Sequence, residues 1–368
     1  MMRAFAVRLP SLQVYWTVLD DELRVVEQAE EFLRHLRFGR GCAESTSEAY
    51  ARALALYGDW CANLRLDWWQ GARRLTAFML WLRHGGRRGP ARINAIVAVV
   101  REFCKHAVAC GWTPPDLLGL LYEVADNRWL PDEVRGENVT PRGLARARHR
   151  LPVPERKVDR ASNDEVVALI GACRCARDRF IVLALARGLR RGELVSLRRQ
   201  DLHFVLDAAA LGCRVEREHL HVVRRDPSPR GAFAKSRRER VVPVDALFVQ
   251  AWDAYWWERS ACAAAQRCDF VLVNLFREPL GVSMRPGAIN ELLVVLSGRA
   301  GLDRKIHPHM LRHAFASDVL DAGGALDEVQ YLLGHASTRS LQPYLHPSAA
   351  RMREAVERTA SYRDRSHP

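Results

Sequence analysis

The sequence predicts a mainly α protein in two domains, with a small β-hairpin in the second. Three observations carry that reading. Apolar residues recur at helical spacing through most of the chain, a Pro-interrupted basic tract divides it at residues 127–160, and only the stretch around Leu220, Val222 and Val241–Val244 alternates as strands do. At 368 residues and 48% hydrophobic, the chain can bury two cores. No apolar run approaches the roughly 18 residues of a membrane span. Arg3 and Arg8 precede no long apolar segment of a secretory signal, so a cytoplasmic protein is expected. The nine cysteines are odd in number and include no C-x-x-C pair, which implies neither disulfides nor a zinc site. A net charge of +13 points to a polyanionic partner, because clustered Arg and Lys bind phosphates by releasing counterions.

Residues 1–126 read as a helical domain. Its stripes are Leu23, Val26, Ala29, Leu33, Leu36; then Tyr50, Leu54, Tyr57, Cys61; then Leu75, Phe78, Met79, Leu82; then Ile93, Ile96, Val97, Val100, Phe103. Arg83, Arg87, Arg88 and Arg92 gather around Gly-Gly and Gly-Pro breaks just before the fourth stripe, a place suited either to phosphate contacts or to plain solvation. Residues 127–160 carry four prolines, and residues 142–160 hold seven Arg or Lys against two acidic groups. That composition reads as a semi-extended linker.

The second domain, residues 161–368, opens with Ser162-Asn163-Asp164-Glu165, a capping box before Val166, Val167, Leu169 and Ile170. A nearly all-apolar helix over about 178–186 should be buried on most sides and stop at Gly188. Leu189-Arg190-Arg191-Gly192-Glu193-Leu194 follows directly. His219 to Val222 and Arg240 to Val244 read as paired strands, with DPSPRG turning between them and Lys235 in the connection. Phe248, Trp252 and Trp256 fall at helical spacing and read as core.

The last part, from His307 to Ser348, begins with a helix on which His309 and Arg312 share one face while Leu311 and Phe315 bury another. One face packs and the other presents charge. After Gly323-Gly324, Leu326, Val329, Leu332 and Leu333 make a second stripe that Gly334 ends, delivering His335; Tyr344 follows nine residues later.

His309-x-x-Arg312, Leu333-Gly334-His335 and Tyr344 resemble the second box of the tyrosine recombinases, the phage-integrase family. Gly188-Leu189-Arg190-x-x-Glu193-Leu194 resembles that family's first box, and Lys235 to Pro243 resembles its Lys-x-x-x-x-Arg-x-x-Pro hairpin. The resemblance implies an N-terminal helical core-binding, SAM-like domain, looked for over Thr46 to Tyr122, and an α+β catalytic domain. It implies a site-specific DNA recombinase that works through a 3′-phosphotyrosine without cofactor or metal. Arg190, Arg312 and His335 would hold the phosphate oxygens, Tyr344 would attack, His309 would be the base and Lys235 the acid. Pro343 stands where the family usually has a Thr-Thr or Thr-Gln run, which bears on the approach of the Tyr. Glu193 and Asp201 read as structural, or at most as groups orienting Arg190. His313 reads as hydrogen-bonded within the domain.

The implied partner is double-stranded DNA, bound by a monomer or weak dimer that forms a homotetramer on synapsed sites. The tail stripe Ala349, Met352, Ala355 and Val356 must bury somewhere, on its own domain or, as the resemblance implies, on a neighbouring protomer. The Arg-rich extensions favour an integrase or transposase of a mobile element. Chromosome-dimer resolution is the alternative within the class. A type IB topoisomerase shares the chemistry and a Holliday-junction assay separates it. A DNA-binding regulator without catalysis would be missing some of the six residues, and a scaffold protein would need none of them.

Overall fold

In a computed structural model of the full chain, the described residues are 1–11, 13–124, 145–154, 159–223, 225 and 239–334. The chain forms two compact units, residues 1–155 and 156–368.

The first unit differs from the all-helical expectation at its start. Strand β1 (Arg3–Arg8) pairs antiparallel with β2 (Val14–Leu19), Arg3 facing Leu19 and Arg8 facing Val14. The run Val14-Tyr15-Trp16-Thr17-Val18 is β-branched and aromatic, and such side chains suit a pleated, half-buried surface better than a helix. Leu23, expected on the first helical stripe, is exposed in a left-handed turn with φ 66°. Helix α1 (Glu27–Arg34) begins after it.

The other stripes fold as their spacing demands. Helices α2 (Glu44–Asn63), α3 (Trp68–Ala72), α4 (Leu75–His84) and α5 (Pro90–Ala109) surround a core containing Phe32, Tyr57, Phe78 and Phe103. The rings pack edge-on, Tyr57 against Phe78 at 5.2 Å and Phe32 against Phe103 at 5.4 Å. Helix α6 (Asp116–Leu121) runs into β3 (Tyr122–Val124), which pairs with β4 (Ala145–Ala147).

Part of the stretch that reads as linker is therefore tied to the first unit. Asn94 clasps both backbone groups of Leu151 at 2.8 Å, and the buried Arg101 donates to the His149 carbonyl at 2.7 Å. The reason is backbone satisfaction: a buried Arg needs an acceptor, and an extended segment offers carbonyls.

The second unit starts with α7 (Asn163–Gly171), capped as its sequence says. Ser162 Oγ accepts from the Glu165 N–H at 3.2 Å and Glu165 accepts from the Ser162 N–H at 2.7 Å. Helix α8 (Ala176–Ala186) buries Phe180 to Leu185 on every side and packs against later helices. Next come α9 (Arg191–Ser196) and a three-stranded antiparallel sheet of β5 (Leu202–His203), β6 (His219–Val222) and β7 (Arg240–Pro243), in that order. The third strand, β5, is too short to alternate visibly in sequence.

Helices α10 (Ala246–Ser260), α11 (Ala263–Gln266), α12 (Pro286–Arg299), α13 (Pro308–Asp321) and α14 (Leu326–Leu333) complete it. Phe248 packs on Phe180 at 5.1 Å and Trp252 joins them half-buried, whereas Trp256 lies at the edge. Among the described residues no helix is long and apolar enough to cross a membrane.

Candidate active site

The site is built where three segments meet: the turn between α8 and α9, strand β7, and the end of α14. Gly188 makes the first possible. It sits at φ +83°, and a Cβ there would come within 2.6 Å of the Phe315 ring, so only glycine turns the chain this tightly against α13. Arg190 follows as the residue before α9, with its backbone N–H donating to Glu193 at 2.9 Å.

Glu193 is the centre. Its carboxylate is buried, and three guanidinium groups meet it. Arg190 Nη1 donates at 2.6 Å, Arg240 donates through Nη1 at 3.1 Å and Nη2 at 2.8 Å, and Arg312 Nη1 stands at 3.9 Å. Burial alone would raise the carboxyl pKa, but the hydrogen bonds and charge of Arg240, with the charges of Arg190 and Arg312, hold it down at about 2. Glu193 is therefore a permanent anion that fixes cations. It is structural, as its place in the sequence suggested, and it also orients Arg190 directly.

Each of the three Arg also grips the same stretch of backbone. Arg240 Nε donates to the Leu332 carbonyl at 2.8 Å, Arg312 to the Leu333 carbonyl, and Arg190 Nη2 to the Gly334 carbonyl at 3.3 Å. Arg312 donates also to the Gly188 carbonyl. These are last-turn carbonyls of α14, which no helical N–H can reach. Gly334 closes that helix in the left-handed conformation at φ 59°, so its own carbonyl turns toward Arg190.

One expectation changes here. The face of α13 that was to present charge does so only at His309, which is exposed; Arg312 is buried, its donors drawn in by Gly188, Leu333 and Glu193. Asp201 is structural, as its place in the sequence suggested, and its bonds go to Arg225 and Arg198 rather than to Arg190. It holds Arg225 in a two-pronged pair at 2.7 and 2.5 Å and accepts from the Arg198 N–H at 2.8 Å. His313, half-buried beside His309 with ring centres 6.4 Å apart, has its pKa lowered by burial and by the neighbouring His309 and Arg312.

Of the six residues expected to act, the structure brings Arg190 and Arg312 together around Glu193 and places His309 on the same helix as Arg312. Lys235, His335 and Tyr344 lie outside the described residues, as do the tail stripe and the DPSPRG turn. Arg240 is what the sequence reading passed over. It was one letter of a hairpin pattern, yet it ties β7 to both α9 and α14.

The donor set can do one thing well. Arg190, one-fifth exposed, has spent two of its three nitrogens on Glu193 and Gly334, and a guanidinium carries five N–H donors in a rigid fork. Among the described residues its remaining N–H groups meet no acceptor, and a held guanidinium with donors to spare suits an anionic oxygen.

Comparison with known proteins agrees. The family model described as the phage integrase family matches residues 160–351. A protein named tyrosine recombinase XerC from Roseiflexus sp. is 27% identical over 332 residues, covering 90% of this chain and 92% of its own length. The fold is similar to that of the XerH site-specific recombinase bound to its palindromic difH substrate, with TM-score 0.54, 16% identity and coverage of 92% and 89%. It is equally similar to the Tn1549 transposon integrase bound to a circular intermediate DNA, with TM-score 0.54, 17% identity and coverage of 79% and 85%.

Proposed function

The chain belongs to the phage integrase family, whose members cleave and rejoin DNA strands, and from that premise we propose a site-specific recombinase that forms a 3′-phosphotyrosine at Tyr344. The observation that carries the reading is the Glu193 knot. Arg190 and Arg312 grip the carbonyls of Gly334 and Leu333, the two residues directly before His335 in the sequence, which supports their acting together with it.

In this proposal Arg190, Arg312 and His335 stabilise charge building on the non-bridging oxygens, His309 receives the phenol proton, and Lys235 protonates the departing 5′ oxygen. The bond to Tyr344 keeps the energy of the broken phosphodiester, so rejoining needs no nucleotide. The DNA partner is duplex. Arg87, Arg88 and Arg92 at the start of α5 offer the first unit's contacts to phosphate, and the protein works at the nucleoid in the cytoplasm. A monomer or weak dimer pairs on each site and forms a homotetramer at synapsis.

Integration or transposition of a mobile element is supported by the Arg-rich extensions. Chromosome-dimer resolution fits as well, because the XerC relative matches nearly its whole length. One experiment serves both levels. Detergent-resistant adducts are trapped in cells and the attached DNA is sequenced. The wild-type chain gives adducts and Tyr344→Phe gives none; an adduct from the Phe variant contradicts Tyr344. Ends of a movable segment and its circular junction identify a mobile element, while a single chromosomal locus identifies dimer resolution.

A further inference from the structure

Outside the knot, one cluster in the second unit has no part in the recombination chemistry. His203 on β5, His219 and His221 on β6, and Cys213 in the loop between them bring one ligand atom each within 4.8 Å of one another. His219 and His221 are two apart on a strand and so share a face, opposite the core residues Leu220 and Val222. A 3₁₀ turn at Ala209–Leu211 and the left-handed Gly212 bring Cys213 back to that face.

We propose that His203, Cys213, His219 and His221 form a tetrahedral structural zinc site that staples the loop 204–218 to the edge of the sheet.

The distances carry the argument. Cys213 Sγ lies 3.4 Å from His219 Nε2 and 3.4 Å from His221 Nε2, and the two Nε2 atoms are 3.1 Å apart. Around a tetrahedral zinc, with Zn–S about 2.3 Å and Zn–N about 2.0–2.1 Å, ligand atoms stand about 3.6 Å apart for S and N and about 3.3 Å for two N. Three of the four are thus at coordination spacing, and a small ring shift at His203 completes the set.

The outer contacts fix the nitrogens as a metal site requires. His219 Nδ1 faces the Arg217 carbonyl at 2.7 Å and His203 Nε2 faces the Gln200 carbonyl at 3.2 Å. Each ring donates there, leaving His219 Nε2 and His203 Nδ1 as lone pairs, which is how ligating histidines are oriented. A second observation is independent of the first. His203 is 9% exposed and its Nδ1 is buried with no hydrogen-bond partner. A buried lone pair costs free energy unless something accepts it, and a cation does.

Thiolate with imidazoles favours zinc over magnesium or calcium, and four protein ligands leave no open position for catalysis. The loop also needs a staple. Leu206 and Leu211 are exposed, so little apolar burial holds it. The group Glu31, His106 and Cys110 of the first unit, exposed except for the half-buried His106, satisfies the same distance test but has no buried unpartnered atom, and it carries no such inference.

The full chain, purified without a polyhistidine tag, tests this. Metal analysis after dialysis should find stoichiometric zinc, and cobalt put in its place should give the ligand-field bands of a tetrahedral site with a thiolate charge-transfer band. Cys213→Ser should abolish that band and weaken zinc by more than the about 10–100-fold that loss of an outer partner costs. His221→Gln, at a half-exposed position, should weaken zinc while the chain still unfolds cooperatively. A folded wild-type chain that retains no zinc, or a Cys213→Ser chain with unchanged zinc and cobalt spectrum, overturns the proposal.

Discussion

The two units bury different things. In the first, the core is aromatic and apolar, and its buried Arg101 donates to the His149 carbonyl. In the second, one buried carboxylate holds three guanidinium groups, and those in turn hold the ends of two helical segments. Apolar burial is non-directional and tolerates rearrangement, whereas charge-assisted hydrogen bonds are directional and fix angles. The first unit uses its interior to be stable, and the second uses part of its interior to be in register.

The largest expected effects set these interiors side by side. Phe103→Ala removes a ring that packs on Phe32, Trp68 and Trp69 and should cost the first unit about 3–5 kcal/mol at any pH. Glu193→Ala strands three cations and should cost the second unit about 3–5 kcal/mol near neutral pH. The pH dependence separates them. The folded carboxyl, near 2, lies below the ordinary value of 4.5, so its contribution is complete at neutral pH and disappears as pH falls from about 4.5 toward 2. Urea unfolding followed unit by unit from pH 6 down to about pH 3 should show the Glu193→Ala penalty shrinking while the Phe103→Ala penalty holds. Equal behaviour would break the contrast.

Gly188→Ala comes next. It needs a left-handed backbone and pushes a methyl into Phe315, so the second unit should lose about 1–3 kcal/mol and the α8–α9 turn should shift. A crystal structure of the variant with an unmoved Arg190 would show that the turn does not set the site. Ser162→Ala is the smallest. It removes one cap from α7 and should lower stability by about 1 kcal/mol, measured by thermal unfolding.

What was legible in the sequence follows the same division. The stripes of α4 and α5 and the cap of α7 are local patterns, and each folds as its spacing requires. The hairpin β1–β2 departs from the helical expectation because Val14 to Val18 is a strand composition whose partner, Arg3 to Arg8, has no strong alternation of its own. Arg190 and Arg312 could be picked out only through a family resemblance, since no local rule says that residues 122 positions apart share a carboxylate. Glu193 and Arg240 are long-range partners, and a single sequence carries no signal for a pairing of that kind. The His and Cys cluster escaped for a related reason: its spacing follows strand alternation and a loop return instead of a C-x-x-C pair.

The central claim is that Glu193 and the Gly334 carbonyl orient Arg190 so that its fork meets the scissile phosphate. Arg190→Lys keeps the charge and removes the fork, since an ammonium cannot span both partners and a phosphate oxygen with the same geometry. The decisive measurement is the single-turnover rate of covalent adduct formation on a nicked recombination site, with DNA affinity determined in parallel. The account predicts a rate lower by about 10²–10³, with affinity close to that of the wild type. Adduct formation at the wild-type rate by a folded, DNA-binding Arg190→Lys chain would contradict it.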